Sequence, residues 1–333
     1  MRKKVHKLLV TCGAGFIGSE FVRQGLKKGF KIVVVDKLTY AGDLQRLKDV
    51  RARFKFYKAD ICHANKIKSI LNKEKPDAIV HFAAETHVDR SILNAKTFIE
   101  TNVKGTQILL DLARMLNSVR FIHISTDEVY GDIKKGKFTE SSPLRPNSPY
   151  AASKASADCL IRSYIRTFNF PAIIIRPSNN YGPWQYPEKF IPVAIYKAII
   201  KSKIPVYGRG LNKREWLHVS DCVEAVFLIL EKGKIGSIYN VGSNYETKNI
   251  DLAKKILKAL GKKPSLIQFV KDRPGHDFRY ALNFARISRL GWQPTVDIEK
   301  GILETVLWYS RKINWLTEKV SFLSNYWEKI YKS

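Results

Sequence analysis

Cysteine and methionine are scarce: the 333 residues hold four Cys and two Met. The cysteines, Cys12, Cys62, Cys159 and Cys222, are scattered, and no pair has metal-ligand spacing. They are too few for a disulfide framework, so neither a metal nor a stapled secreted scaffold is expected. A reducing cytoplasm is the simplest fit. Long apolar runs are missing as well. None approaches the ~20 residues that cross a bilayer, and no membrane partner is expected. Acidic residues are outnumbered, 30 against 58 Lys and Arg, which leaves a net charge of +28. Such a field attracts anions, nucleic acid and acidic lipid included. The lysines are nevertheless spread along the whole chain, without a block of like charge. Nucleic-acid binding is therefore not expected as its function.

What is present is an ordinary globular composition, 45% hydrophobic, in a chain long enough for two lobes sharing a core. The basic start, Met1 to Lys4, leads into the apolar Leu8-Leu9-Val10. That stretch is too short for a signal's hydrophobic region, so Lys7 to Thr11 reads as the first strand. It runs into Cys12-Gly13-Ala14-Gly15-Phe16-Ile17-Gly18, a helix from about Ser19 to Lys28, and a second strand, Lys31 to Val35, that ends at Asp36. Strand, glycine-rich turn, helix, strand and acid in that order form a dinucleotide-binding fingerprint. Gly13, Gly15 and Gly18 let backbone approach a pyrophosphate, whose charge the helix N-terminus favours. Asp36 suits ribose hydroxyls and repels a 2′-phosphate, which points to NAD rather than NADP.

The alternation continues through strands at Arg53 to Tyr57 and Ala78 to Phe82, and a helix at Ala64 to Lys73. Lys96 to Leu116 reads as one long helix, because Ile99, Val103, Leu109, Leu112 and Leu116 recur at helical spacing. Strands alternating with helices predict an α/β fold, a Rossmann-type doubly wound parallel sheet. It should occupy residues 1–178. A smaller α/β lobe over residues 179–333 should hold a second ligand, with some segments returning to the main sheet. The tail, Trp315 to Ser333, carries Leu316, Val320, Leu323, Trp327 and Ile330 at helical spacing and is expected to dock on the body.

The chemistry concentrates in two stretches. Val119 to Ile124 reads as a buried strand, and Thr126-Asp127-Glu128 would sit just past its end, where open parallel sheets bind ligands. Two neighbouring acids beside a hydroxyl suit paired proton transfers. Downstream, Ser148 and Pro149 look like the N-cap and first turn of a helix running to about Phe168. That helix places Tyr150 and Lys154 on one face. An ammonium near a phenol favours the phenolate, so Tyr150 is expected to be a base with a lowered pKa. His81, His87 and His123 lie on or beside apolar strands and read as structural.

With these stretches in view, the chain resembles the nucleotide-sugar 4,6-dehydratases of the extended short-chain dehydrogenase/reductase superfamily, from Leu8 to about Tyr309. The resemblance rests on Val35 to Gly42, His87 to Ile92, Ser125 to Gly131, Tyr181-Gly182-Pro183, Pro187-Glu188-Lys189 and Asp272 to Asp277. Related epimerases share the Tyr/Lys pair but usually lack the Thr-Asp-Glu acids. The resemblance implies that Phe16, Ile17, Asp36, Lys37, Leu38, Thr39, Asp60, Ile61, Phe82, Ala83, Ala84, Glu85, Thr86, Thr101 and Asn180 line NAD, with Lys154 on its nicotinamide ribose. It implies that Thr86, Thr126, Asn179, Lys189, Phe190, Pro205, Val206, Tyr207, Arg214, Asn249, Asp272, Arg273, Pro274, Gly275 and His276 surround the nucleotide sugar. Tyr150 would take the 4-hydroxyl proton, Glu128 the C5 proton, and Asp127 would protonate the departing C6 hydroxyl. The implied substrate is dTDP-glucose. UDP-glucose 4,6-dehydration, epimerisation or decarboxylation is the alternative, and a non-catalytic NAD sensor a remote one. Family members commonly form homodimers, here through Lys96 to Leu116 and Tyr150 to Phe168. Two positions depart from the family: Cys12 replaces its first turn glycine, and Phe278 stands where a basic residue often precedes Arg279. A β-carbon at position 12 costs energy if the turn needs φ > 0, so NAD retention is expected to be lower than with glycine.

Overall fold

The structure is a computed structural model that describes residues 5–116, 119–323 and 326–327. Twelve strands follow in chain order among these residues: β1 (Lys7–Thr11), β2 (Lys31–Asp36), β3 (Lys55–Lys58), β4 (Ala78–His81), β5 (Arg120–Ile124), β6 (Ala172–Pro177), β7 (Asn179–Tyr181), β8 (Ile204–Tyr207), β9 (Lys213–His218), β10 (Ile238–Val241), β11 (Glu246–Lys248) and β12 (Ile267–Val270). Seven of them form one sheet in the order β10-β6-β5-β4-β1-β2-β3. Every pairing in it is parallel. Its strands are apolar on successive residues because helices cover both faces. Leu8, Val10, Val34, Val80, Ile122 and Ile173 face one buried cluster; Leu9, Val33, Ile79, Phe121 and Ile174 face the other. The strand order reverses between β1 and β4, and the crevice that opens there at the strands' C-terminal ends is where such sheets bind ligands.

The second lobe has its own apolar cluster, including Ile191, Val206, Trp216, Leu252, Ile302 and Trp315. A three-stranded sheet, β11-β9-β7, and a two-stranded one, β12-β8, belong to this part of the chain. Not everything after residue 178 lies there. Strand β10 closes the main sheet beside β6. The helix Val219–Lys232 packs on the same face as the first helix, Phe16–Lys27, with Phe227 stacked on Phe21 at 4.2 Å between ring centroids. No described helix is long and apolar enough to cross a membrane.

Two differences from expectation have local causes. Lys96 to Leu116 is not one uniform helix: a π-helical stretch, Ile99–Gly105, interrupts it before Thr106–Arg114. The wider turn sets the Asn102 side chain against the loop after β4, where it accepts from the Glu85 N–H and donates to its carbonyl. Such bulges often mark functional positions. In the tail, the described helix runs from Ile313 to Ser321. The remaining tail positions 324–325 and 328–333, with Ile330, lie outside the described residues, as do Met1 to Lys4.

Phe227→Ala should cost about 3–5 kcal/mol, the usual penalty for deleting a buried aromatic. Urea unfolding should show the loss in the transition of the main sheet. A loss below ~1 kcal/mol would mean that the helix Val219–Lys232 does not belong to that core.

Candidate active site

One cleft at the C-terminal edge of the main sheet is lined from four successive strand ends. Cys12 to Gly18 follow β1, Phe82 to Thr86 follow β4, Ser125 to Glu128 follow β5, and Ser178 to Asn180 follow β6. Its outer wall includes Thr39 to Gly42 from the loop after β2 and Gln185, Tyr186, Glu188 and Lys189 from the second lobe. Cys12, the residue in place of the turn glycine, lines the cleft, and so do Tyr40, Arg46, Gln185, Tyr186 and Glu188, to which the sequence reading assigned no role. An adjoining recess brings together Lys37, Asp60, Ile61, Ala83 and Thr101.

The glycine-rich turn is built for close approach. A β-carbon on Gly18 would stand 2.2 Å from the Cys12 carbonyl oxygen, and one on Gly15 would meet the Cys12 Sγ at 2.7 Å. Gly15 caps the first helix with no side-chain hydrogen bond, so the first N–H groups of that helix are left for a ligand. Gly13 packs against Val34 instead. Asp36 is buried, and its carboxylate accepts from the Ala14 N–H (2.9 Å) and the Leu38 N–H (2.8 Å). It thereby fixes both loops that a ribose would meet. Burial pushes the Asp36 carboxyl up, and those two N–H groups oppose the shift.

Cys12 adopts φ +55°. This is the left-handed region, where a side chain costs energy that glycine does not. Its thiol is pushed up, first by burial and then by the Asp36 carboxylate, and stays protonated.

Thr126, Asp127 and Glu128 leave β5 as a short helical turn. Thr126 is its N-cap, accepting from the Glu128 N–H at 3.3 Å, and its hydroxyl donates to Asp127 Oδ1 at 3.2 Å. The two carboxyls have unlike surroundings. Asp127 is 1% exposed, and its Oδ2 has no partner. Burial drives its pKa well above the usual carboxyl range, and the charges of Glu128 and Glu215 push the same way. Glu128 is only partly buried. Burial raises it too, and Arg273, Arg214 and Lys189 oppose that rise without cancelling it. One group is thus set to hold a proton while its neighbour accepts one.

Tyr150 and Lys154 sit on the helix Pro149–Phe168, whose N-cap Ser148 accepts from the Ala151 N–H. Their relation differs from the expected one. The Lys154 ammonium is turned to the Ile124 carbonyl (2.8 Å) and His123 Nε2 (3.3 Å). Burial lowers it to about 8. The Tyr150 phenol is raised, not lowered: burial dominates, Glu128 adds to it, and the hydrogen bond with Thr126 only partly opposes. Burial thus favours the Tyr150 phenol over the phenolate.

The histidines are placed by neighbours. His81 lies between the Thr11 and Thr106 hydroxyls, at 2.9 and 3.0 Å, and His87 between the Glu188 carbonyl and the Tyr326 hydroxyl, both at 3.0 Å. Among the described residues no group of three or more His, Cys, Asp or Glu is arranged to hold a metal ion.

Beyond the cleft lining, the other singled-out residues divide. Lys189 spans the cleft wall, donating to the Thr86 carbonyl at 2.7 Å. Tyr207 and Arg273 both reach Asp89, at 3.1 and 3.5 Å, and His276 pairs with Asp272 at 2.6 Å. Arg214 gives its N–H groups to the carbonyls of Lys213, Asp277 and Phe278. Val206 points into the second lobe's core. Asn249 opens a helix, its N–H bonded to the Asn212 carbonyl. Phe278 is exposed, and Arg279 beside it pairs with Glu246 at 2.6 Å.

Fold, glycine-rich turn and Tyr/Lys helix together are those of the extended short-chain dehydrogenase/reductase class. The protein-family model described as GDP-mannose 4,6 dehydratase matches residues 9–305. The dTDP-glucose 4,6-dehydratase of Streptomyces niveus is 46% identical over 93% of this chain and 94% of its own length. A solved dTDP-glucose 4,6-dehydratase of Streptomyces venezuelae with NAD bound superposes with a TM-score of 0.91 at 47% identity, covering 93% of this chain and 98% of that one. The UDP-glucose 4-epimerase of Thermotoga maritima shares the architecture at a TM-score of 0.86 but only 27% identity, over 92% and 99% of the two chains. The chain belongs to the nucleotide-sugar 4,6-dehydratase family.

Cys12→Gly should stabilise the fold by about 1 kcal/mol, the left-handed strain less the entropy cost of glycine. Urea unfolding measures it, and an unchanged or lowered midpoint would show that position 12 carries no strain.

Proposed function

We propose that the chain dehydrates dTDP-glucose to dTDP-4-keto-6-deoxyglucose with a resident NAD. The observation that carries this reading is the Asp127–Glu128 pair, adjacent in sequence and unlike in surroundings, beside Tyr150 and Lys154. A redox exchange alone needs one acid–base group, whereas removing water needs a second base and an acid. dTDP-glucose is preferred to GDP-mannose because full-length relatives named for it are 43 to 46% identical.

The cleft fits a dinucleotide on its own residues. The uncapped helix start faces it, and the buried Ser178 Oγ, Asn179 Oδ1 and Gln185 Oε1, all lining the cleft, lack protein partners. The glycine-rich turn and Asp36 would hold the adenosine half, and Lys154 the nicotinamide ribose. The chemistry that bound NAD supplies is hydride storage, from C4 of the sugar and back to C6. The chain's residues move the protons. Lys154, a cation on the same helix face, favours the Tyr150 phenolate, and that phenolate takes the proton of the 4-hydroxyl to become the phenol. The 4-ketone acidifies C5, and Glu128 takes that proton and gives it back to C5 when hydride returns to C6. Asp127, kept protonated by burial, gives its proton to the C6 hydroxyl, which leaves as water. Lys189, Arg273 and Arg214 surround Glu128 with positive charge and suit a diphosphate. Relief of strain at position 12 should also let Cys12→Gly retain more NAD.

We further propose a homodimer in the cytoplasm. The outer face of the helix Pro149–Phe168 supports the first part: Ala152, Ala155 and Leu160 line a shallow apolar depression with Val103 and Leu144. The four separated free cysteines support the second.

Purified protein incubated with dTDP-glucose should yield a product lighter by one water. Glu128→Gln should bind NAD normally and oxidise C4, yet lose elimination by about 10²–10⁴-fold, the usual contribution of a positioned base. Normal turnover by that variant would overturn the assignment.

A further inference from the structure

The helix Ile313–Ser321 lies beyond the residues 9–305 that the family model matches, yet it touches the back of the cleft on both sides. On one side it meets the loop that follows β2. The Trp315 indole N–H donates to Asp43 Oδ2 at 2.8 Å, and Lys319 pairs with the same oxygen at 3.1 Å. The Trp315 ring lies 5.7 Å from the guanidinium of Arg46, which is fully buried. Arg46 in turn donates to the carbonyl of Ala14 in the glycine-rich turn (2.8 Å) and to that of Ala41 in the loop (2.6 Å).

On the other side the same guanidinium donates to the Trp184 carbonyl at 3.1 Å. Trp184 holds φ +70°, a strained conformation for a tryptophan that its neighbours must maintain. Its ring is pinned edge-on by Trp315, at 5.2 Å between centroids. The next residue, Gln185, lines the cleft, and its carbonyl accepts from the buried Tyr309 hydroxyl at 2.6 Å.

We propose that this C-terminal helix is a strap that positions the dinucleotide: Trp315, through Asp43 and Arg46, holds the loop after β2 and the Trp184–Gln185 segment at the spacing a bound dinucleotide requires. Trp315 does not line the cleft and is a positioning residue. The inference rests on the reading of the cleft as an NAD site. A strap of this kind acts on cofactor affinity and residence, not on the proton transfers at Asp127 and Glu128.

The test is NAD binding to the full-length protein stripped of dinucleotide, by calorimetry, with thermal unfolding and turnover at saturating NAD measured on the same samples. Trp315→Phe keeps a ring but loses the N–H, and Asp43→Asn keeps a helix cap but loses the charge that Lys319 pairs with. Each should weaken NAD by about tenfold, the loss of one charge-assisted hydrogen bond. Turnover at saturating NAD and KM for the sugar nucleotide should stay within about twofold of wild type. A purely structural helix would lower the unfolding temperature and leave the NAD affinity of the folded fraction unchanged, which overturns the proposal. If Trp315→Phe does not fold, Asp43→Asn decides. Wild-type protein that binds no NAD would instead overturn the reading of the cleft, and the strap with it.

Discussion

The site depends on one costly arrangement, a carboxyl buried beside another carboxyl. Taking an ionised carboxylate out of water with only one of its oxygens partnered is costly, so burial favours the protonated form. Asp127 is in that position, with Glu128 next to it and Glu215 nearby. That bias toward the protonated form follows from where β5 ends. A strand buried on both faces delivers the triplet to the sheet's edge, and the Thr126 cap turns the chain so that Asp127 goes inward while Glu128 stays partly open. An acid and a base then stand side by side without different residue chemistry.

The second lobe completes this asymmetry. Lys189, Arg214 and Arg273 all come from it and all act on Glu128. Arg214 is held by backbone carbonyls, and Arg273 by Asp89. Glu188 ties the lobe back to the sheet side, accepting from the Tyr40 hydroxyl at 3.0 Å and pairing with Arg90 at 3.0 Å. Arg90 in turn lies between the rings of Tyr40 and Tyr326, at 4.1 and 4.3 Å. The cations that tune the base thus sit on a wall joined to the sheet side by specific polar and ring contacts.

Much of this was legible in the sequence, for a physical reason. Parallel strands are short apolar runs bounded by turn residues, and the glycine-rich turn, Asp36, the Thr126 triplet and the Ser148 cap are all local signals. What could not be read depends on distance or on side-chain direction. The π-helical stretch at Ile99–Gly105 keeps its apolar residues at helical spacing, so periodicity passes over it. Arg46 gave no signal because its partners at Trp184 and Trp315 lie far along the chain. The direction of the Tyr150 shift was not legible, because helical spacing places Lys154 on the right face but does not say where its ammonium points. That ammonium reaches the end of β5, and burial then governs the phenol. The family likeness named the roles, but the contrast between the two acids came only with their surroundings.

The central claim is tested most directly by isotope-edited infrared titration of the carboxyl groups, with Asp127→Asn and Glu128→Gln to assign the bands. A protonated Asp127 band persisting well above the ordinary carboxyl range, with Glu128 ionising below it, is the predicted result. An Asp127 that is ionised at neutral pH, or a Glu128 that titrates above it, would contradict the account.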